Sequence, residues 1–244
     1  MSYAAAHPTP AQAASPGARL AAFAALFADE TRATMCLSLL DGRAWTASEL
    51  ARTAGVAAST ASEHLGKLVA AGLLAEERQG RHRYVRLADS TAAALVESLA
   101  SHAIPGRDRP HTLRAASASS AMARGRTCYD HLAGRLGIAV TDAMAGRGLL
   151  LTETGFALTE AGLGWFADLG VPLATKGRRP LVSACLDWTE RKRHLAGVAG
   201  AALCAHALEA GWCVRIGSER AVKVTAEGER ALGELLGIDA EILR

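Results

Sequence analysis

The order of apolar and polar positions predicts mostly helices in the first hundred residues. Apolar residues fall on one helical face at 20–27 and again at 35–40. Thr46-Ala-Ser-Glu49 is a capping-box sequence, so a short helix should begin there and end at Gly55. A longer helix over 58–71 turns its alanine and leucine positions inward.

Residues 73–87 alternate around Gly80 and predict two strands joined by a turn. A helix from about Asp89 to His102 completes the unit. The order of helix, helix, short helix, turn, helix, hairpin and helix is typical of a winged helix.

The C-terminal half contains an internal repeat. His131-Leu-Ala-Gly134 recurs as His194-Leu-Ala-Gly197, 63 residues later (194 − 131), and further glycines match at the same offset. Each copy continues with an apolar strand, a glycine-containing turn, a second strand and a helix. The predicted fold class is mainly α with small β-hairpins: an N-terminal winged helix-turn-helix and a duplicated helix–hairpin–helix, winged-helix-like C-terminal half.

Composition adds domain boundaries and a compartment. The predicted parts are a disordered tail (1–17), a winged helix (18–102), a linker or helical connector (103–124), and a sensor and dimerisation region (125–244) with repeats at about 127–171 and 188–238. The chain lacks an apolar run of membrane-spanning length, and its five cysteines form no CxxC pair. Reduced thiols and a cytoplasmic location are therefore expected. The net charge of 27 − 24 = +3 does not by itself indicate nucleic acid.

Residues 46–87 resemble the ArsR/SmtB family of regulators. The resemblance rests on Glu49-Leu-Ala51, Gly55-Val56, Ser59-Thr-Ala-Ser62-Glu-His64-Leu65-x-x-Leu68, Ala71-Gly72-Leu73 and a wing at Gly80. It implies a homodimer that places the second helix of this pair in the major groove of operator DNA, and usually represses transcription.

The side chains support DNA binding independently of the resemblance. Short hydroxyl residues at a helix start can reach phosphates or base edges, and arginines concentrate on the hairpin without an acid between Arg78 and Ala88. The alternative is that the hydroxyls only cap a helix and the arginines form a solvated edge. The predicted DNA-binding residues are Ser59, Thr60, Ser62, His64, Lys67, Arg78, Arg81, His82 and Arg83.

The sequence departs from the metal-sensing members of that family. Thr46 and Ser48 occupy the positions of the family's thiolate pair, and the helix over 89–102 lacks the repeated metal ligands of the zinc-sensing type. A standard family metal site is therefore not expected, and neither a resident metal nor a cofactor is predicted.

A sensor is expected in the C-terminal half, where two clusters at 127–131 and 185–190 each begin a predicted helix, because Thr127-x-x-Asp130 and Asp187-x-x-Glu190 resemble helix caps. A cysteine at a helix start has a lowered pKa and a reactive thiolate. The candidate effector or redox residues are Cys128, Tyr129, His131, Cys185, Trp188 and His194. An organic ligand or thiol oxidation is favoured over a two-Cys, two-His metal site, which requires the two repeats to face each other. The alternative is that these cysteines are simply buried apolar residues.

The sequence therefore predicts an effector-responsive, homodimeric transcription regulator that binds double-stranded DNA and is not an enzyme. One rival hypothesis is an enzyme that uses Cys128 or Cys185 as nucleophile beside a histidine base, fused to a DNA-binding domain. No nucleotide-binding or hydrolase motif supports it. The other rival is an architectural protein that coats DNA without an effector.

Overall fold

The computed structural model describes residues 15–79, 82–102, 113–153, 155–174, 179–216 and 220–243. Its N-terminal part is a winged helix-turn-helix, as predicted. The elements are α1 (Pro16–Ala24), α2 (Glu30–Ser38), β1 (Trp45–Thr46), α3 (Ala47–Ala54), α4 (Ala58–Ala70), β2 (Leu74–Gln79), β3 (His82–Leu87) and α5 (Ser90–His102). The strands form one antiparallel sheet in the order β1-β3-β2.

The core of the winged helix follows the apolar pattern of the sequence. Met35, Leu50, Leu65 and Leu68 are completely buried, so α2, α3 and α4 pack around one centre. Burying each such side chain contributes roughly 1.5–3 kcal/mol. The predicted apolar face at 20–27 is partly buried: α1 ends at Ala24 and buries none of its residues completely, but Phe23, Leu26 and Phe27 pack against this core.

The predicted tail and linker are partly helical. Pro16 already begins α1, and the Ser15 hydroxyl accepts a hydrogen bond from the Ala18 N–H at 3.1 Å. The rest of the predicted tail, residues 1–14, lies outside the described residues, as does 103–112. The second half of the predicted connector forms α6 (Leu113–Arg124).

The C-terminal region runs through the same order of elements twice. The first run is β4 (Arg126–Cys128), β5 (His131–Ala133), α7 (Gly134–Gly146), β6 (Leu150–Leu151), β7 (Ala157–Leu158) and α8 (Glu160–Asp168). The second run is β8 (Ser183–Leu186), β9 (Arg193–Ala196), α9 (Gly197–Glu209), β10 (Cys213–Arg215), β11 (Val222–Val224) and α10 (Ala226–Leu236). Consecutive strands pair as antiparallel hairpins.

The expectation that residues 127–131 and 185–190 begin helices is wrong. They lie on or beside the hairpins β4–β5 and β8–β9, and the helices begin later, at Gly134 and Gly197. Both glycines have positive φ, 71° and 81°. A Cβ at Gly134 would lie 2.8 Å from the Ala123 carbonyl oxygen, and one at Gly197 would lie 2.9 Å from that of Pro180. Backbone crowding and a left-handed conformation therefore fix where each hairpin turns into a helix.

The two runs share one apolar core, to which α7, α8, α9 and α10 all contribute. This core is joined to the winged helix by polar contacts. The Tyr129 N–H donates to the Leu40 carbonyl at 2.9 Å, and Arg220 forms a 2.6 Å ion pair with the buried Glu97 of α5. Among the described helices, none has the length and apolar character needed to cross a membrane.

Candidate functional site

The α3–turn–α4 pair presents the predicted reading helix to solvent. The capping box forms, with Thr46 and Glu49 each accepting from the other's backbone N–H, and Gly55 ends α3 in the left-handed conformation. Helix α4 then begins after Ala57, which supplies no side-chain cap. The positive end of α4 is therefore open to an external acceptor such as phosphate.

The predicted DNA-binding residues of α4 divide into two groups. Ser59, Thr60 and Ser62 are exposed on the face opposite the buried leucines. Lys67 is exposed but forms a 2.7 Å ion pair with Glu63. His64 is only 14% exposed, and its Nδ1 lies 3.2 Å from Arg32 Nη1 and 3.7 Å from Asp29. The three hydroxyl residues are exposed and can reach DNA, whereas His64 contacts Arg32 of α2 and helps to hold α4 against α2.

The wing carries arginines whose charge is partly balanced. Arg78 and Arg83 face each other across β2 and β3, and both form ion pairs with Glu76, at 3.2 and 2.7 Å. Sequence reasoning missed Glu76 because it considered only the acids after Arg78. Arg78 is 79% exposed, compared with 28% for Arg83. Arg81 and the side chain of His82 lie outside the described residues.

Four side chains from two hairpins meet in one buried place. They are Cys128, His131, Cys185 and His194, called here the Cys2His2 cluster. The registers pair Cys128 with His131 and Cys185 with His194. One nitrogen or sulfur atom from each residue lies within 4.8 Å of the other three. The two Sγ atoms are 3.8 Å apart and the two Nε2 atoms 3.1 Å apart.

Charged residues surround the Cys2His2 cluster. Asp130 Oδ1 lies 3.3 Å from Nδ1 of His131, and Arg179 holds the Asp130 carboxylate through contacts of 2.6 and 2.9 Å. Asp187 forms a fully buried ion pair with Arg126 at 2.9 Å and accepts from the Gly134 N–H at 2.7 Å. Each histidine therefore has a carboxylate nearby that an arginine holds in place.

The two thiols of the Cys2His2 cluster are not equivalent. Burial and the hydrogen bond with Cys185 raise the pKa of Cys128. The hydrogen bond from Cys128, opposed by burial, lowers the pKa of Cys185, and both histidines lower it further. Burial would lower the pKa of His131, but Asp130 and Cys185 outweigh it and raise that pKa to about 9. The arrangement favours one thiolate and a protonated imidazole over two neutral groups.

A cavity of about 580 Å³ lies beside the Cys2His2 cluster, between α5 and the hairpins β4–β5 and β8–β9. Tyr129, Cys128, His131 and Cys185 line it. The other predicted aromatic residue, Trp188, stacks instead on Arg126, whose guanidinium carbon lies 4.9 Å from the centroid of the Trp188 ring. The cavity gives a small molecule or ion a path to the sulfur atoms.

Sequence reasoning did not find the charged residues that support this site. Nothing in the sequence pairs Arg126 or Arg179 with a carboxylate, and only the three-dimensional structure brings them to Asp187 and Asp130. Asp187, interpreted as a cap like Asp130, does accept from the Thr189 and Glu190 N–H groups but also faces the cluster. The available signals were that a cysteine precedes each copy of His-Leu-Ala-Gly and that Cys-x-Asp occurs before both copies.

The fold and the exposed face of α4 define a winged helix-turn-helix DNA-binding protein. The family described as "Helix-turn-helix domain" matches residues 27–77. "Uncharacterized HTH-type transcriptional regulator YdfF" of Bacillus subtilis (strain 168) is 38% identical over 222 residues, covering 90% of this chain and 97% of the relative. The chain belongs to these helix-turn-helix transcriptional regulators.

Solved structures of similar proteins cover a smaller part of the chain. The cadmium metal-sensor CMTR from Mycobacterium tuberculosis is 33% identical, with a TM-score of 0.30 over 38% of this chain and 96% of its own. The homodimeric domain of Mb0332 from Mycobacterium bovis is 26% identical, with a TM-score of 0.31 over 33% of this chain and 74% of its own. The Bacillus relative, by contrast, matches 90% of this chain and so shares the C-terminal region as well.

Proposed function

We propose that this regulator binds a specific operator as a homodimer and represses transcription until an effector reaches its C-terminal region. The observation that carries the proposal is the exposed hydroxyl face of Ser59, Thr60 and Ser62 at the uncapped start of α4, next to an arginine-bearing wing. Hydroxyls there can contact base edges, the helix N-terminus attracts phosphate, and the wing arginines add backbone contacts.

Dimerisation is supported by the outer helices of the winged helix. Helix α1 buries none of its residues, and its Leu20 is 70% exposed. Leu99 on α5 is 46% exposed as well. These two leucines leave apolar surface on the outer helices available to a second copy. A second copy of the chain is the occupant that a twofold operator requires.

The assignment of sensing to the C-terminal region is likewise a proposal. Residues 18–102 bind DNA, 103–124 connect, and 125–244 form the sensor, built as two copies of one duplicated unit. The Cys2His2 cluster and the cavity beside it lie where this sensor meets α5. An effector bound there changes operator affinity only if it binds one of two conformations better, and about 1.4 kcal/mol of such preference corresponds to tenfold.

The test is fluorescence anisotropy of the purified, reduced chain on a duplex from upstream of its own gene and on random duplex, at one fixed salt concentration. We expect at least tens-fold preference for the upstream duplex. Thr60→Ala with Ser62→Ala should lower that preference at least about tenfold, since each good base contact is worth ~1–3 kcal/mol. Thr53→Ala, at an exposed hydroxyl on α3, is the matched control.

The wing is tested separately through salt dependence. Arg78→Ala should weaken binding to both duplexes and reduce the log–log salt slope by about 1. Arg230→Ala removes an exposed arginine of α10 that pairs with Glu227 and Glu234, and it should leave the slope unchanged. Equal, weak binding of the unsubstituted protein to every duplex would overturn the operator proposal.

A further inference from the structure

The sulfur–sulfur and nitrogen–nitrogen distances of the Cys2His2 cluster match those of a tetrahedral metal site, and all four ligand atoms lie within 4.8 Å of one another. Zinc bonds of about 2.3 Å to sulfur and 2.0–2.1 Å to nitrogen imply tetrahedral edges of about 3.8 Å between sulfurs and about 3.3 Å between nitrogens. The structure has 3.8 Å between the Sγ atoms and 3.1 Å between the Nε2 atoms. We propose that the Cys2His2 cluster binds one Zn²⁺-class ion in a closed site with two sulfur and two nitrogen ligands.

The orientation of the histidines supports a cation between them. Their Nε2 atoms point at each other, so without a cation one ring must be protonated there to satisfy the other. Nδ1 of His194 is buried without a hydrogen-bond partner, with the Asp187 carboxylate 3.8 Å away. Nδ1 of His131 has Asp130 at 3.3 Å. A histidine that binds metal through one nitrogen and faces a carboxylate with the other is the usual arrangement in zinc proteins.

The charges around the Cys2His2 cluster favour the same conclusion. Asp130 and Asp187 are each neutralised by an arginine, so two deprotonated thiols beside two neutral, metal-binding imidazoles carry the negative charge that remains in the site. One divalent cation balances two thiolates, and burial away from water strengthens that attraction. Thiolate and imidazole ligands select zinc-class ions over magnesium or calcium. Four protein ligands leave no open coordination position, which is typical of a structural or regulatory site.

The position of the site predicts what the ion joins. Cys128 and His131 come from β4–β5, and the other two ligands come from β8–β9, so one ion connects the two halves of the C-terminal region. Hairpin β4–β5 also contacts the winged helix through Tyr129 and Leu40. The inference does not depend on the proposed operator function, because its test measures metal binding alone.

The experiment titrates the reduced, chelator-treated full chain with Co²⁺ and follows its visible absorption. We expect one Co²⁺ per chain, the d–d bands of tetrahedral coordination, a thiolate-to-cobalt charge-transfer band, and displacement by Zn²⁺. Cys185→Ala and His194→Gln should each weaken binding at least about 100-fold, because even outer partners of a metal site contribute 10–100-fold. Cys204→Ala is the matched control, since Cys204 is equally buried but lies in the apolar core.

Several results would overturn the proposal. Octahedral cobalt spectra, no uptake, or unchanged affinity in folded Cys185→Ala protein would each do so. If that variant fails to fold by circular dichroism, alkylation of the unsubstituted chain decides: Zn²⁺ must protect both Cys128 and Cys185, as read by mass spectrometry. A chain that takes up no metal but forms a Cys128–Cys185 disulfide with mild peroxide has a thiol switch in place of a metal site.

Discussion

The winged helix and the C-terminal region use polar residues in opposite ways. Among the described residues, the winged helix buries Asp41 and Glu97, whereas the C-terminal region buries Arg126, Thr127, His131, Thr141, Asp187, His194 and Arg220. The winged helix keeps Ser59, Thr60, Ser62 and Arg78 exposed, where DNA can reach them. The C-terminal region turns charge inward, which is costly unless every group is paired. The exposed polar groups of the winged helix suit contact with an external partner, whereas those of the C-terminal region are enclosed within the fold.

The largest effect should come from breaking the buried ion pair of the C-terminal region. Asp187→Ala removes the partner of Arg126, and both side chains are 0% exposed. The uncompensated guanidinium should lower the free energy of unfolding by about 3–5 kcal/mol, measured by urea unfolding of the reduced, metal-free chain. Burial opposes it, but Arg126 keeps the pKa of Asp187 low, so the pair is ionised at neutral pH.

The control for this prediction is an exposed ion pair. Glu227→Gln removes a partner of Arg230, where both side chains are more than half exposed, and should change stability by less than ~1 kcal/mol. Similar losses for the two variants would mean that the buried charges contribute no more than surface ones. The contrast between the two regions would then be one of composition without energetic consequence.

The same contrast explains what the sequence could predict. The elements of the winged helix can be predicted from the sequence because each has a local signal. These signals are the capping box at Thr46, Gly55 at the end of α3, and leucines at helical spacing. The predicted order of its elements is confirmed. Residues 127–131 were predicted as a helix start because Thr127 and Asp130 have cap spacing, but pairing with β5 overrides that local preference. Local patterns do not encode such long-range pairing.

The convergence of the Cys2His2 cluster was beyond sequence reasoning for a related reason. Cys128 and Cys185 are 57 residues apart while the two histidines are 63 apart, because the β8–β9 connection is longer than the β4–β5 turn. A fixed-offset repeat therefore aligns the histidines but not the cysteines. Only the facing of the two hairpins brings all four together, and that facing depends on the shared core.

A second prediction compares glycines on one helix of each region. A Cβ at Gly200 of α9 would lie 2.6 Å from the Leu195 carbonyl oxygen and 3.3 Å from Cβ of His131, whereas a Cβ at Gly66 of α4 would meet nothing within 4 Å. Gly200→Ala should destabilise the chain by about 1–3 kcal/mol through overpacking. Gly66→Ala should stabilise it by about 0.5–1 kcal/mol, because alanine favours the helix.

Thermal and urea unfolding of the two variants give the measurement. A lower free energy of unfolding for Gly200→Ala and a higher one for Gly66→Ala would support the contrast between the two regions. The C-terminal hairpins approach their helices too closely for a side chain, whereas α4 leaves room for a ligand. Equal stabilisation by both alanines would show that the hairpin β8–β9 can move away from α9 at no cost. The packing around the Cys2His2 cluster would then be able to adjust to a methyl group without loss of stability.

The smallest expected effect concerns pH and the helix caps. Hydrogen bonds from the Thr46 backbone and hydroxyl, against weak burial, lower the pKa of Glu49 below its ordinary value. A carboxyl whose pKa is lowered on folding stabilises the protein above its unfolded pKa of about 4.3, and that contribution is lost as the pH falls through the folded value. Glu49→Gln should therefore lower the free energy of unfolding by about 0.3–1 kcal/mol at pH 7 and by progressively less below pH 4.3.

The control is the cap of α10, where Gly228 occupies the position that Glu49 has in α3. The loss of stability from Thr225→Ala, about 1 kcal/mol, should therefore not change over the same pH range. A Glu49→Gln deficit that stays constant from pH 7 to pH 3, measured by urea unfolding, would mean that the capping box stabilises α3 without its charge. The N-termini of α3 and α10 would then both be capped by uncharged hydrogen bonds.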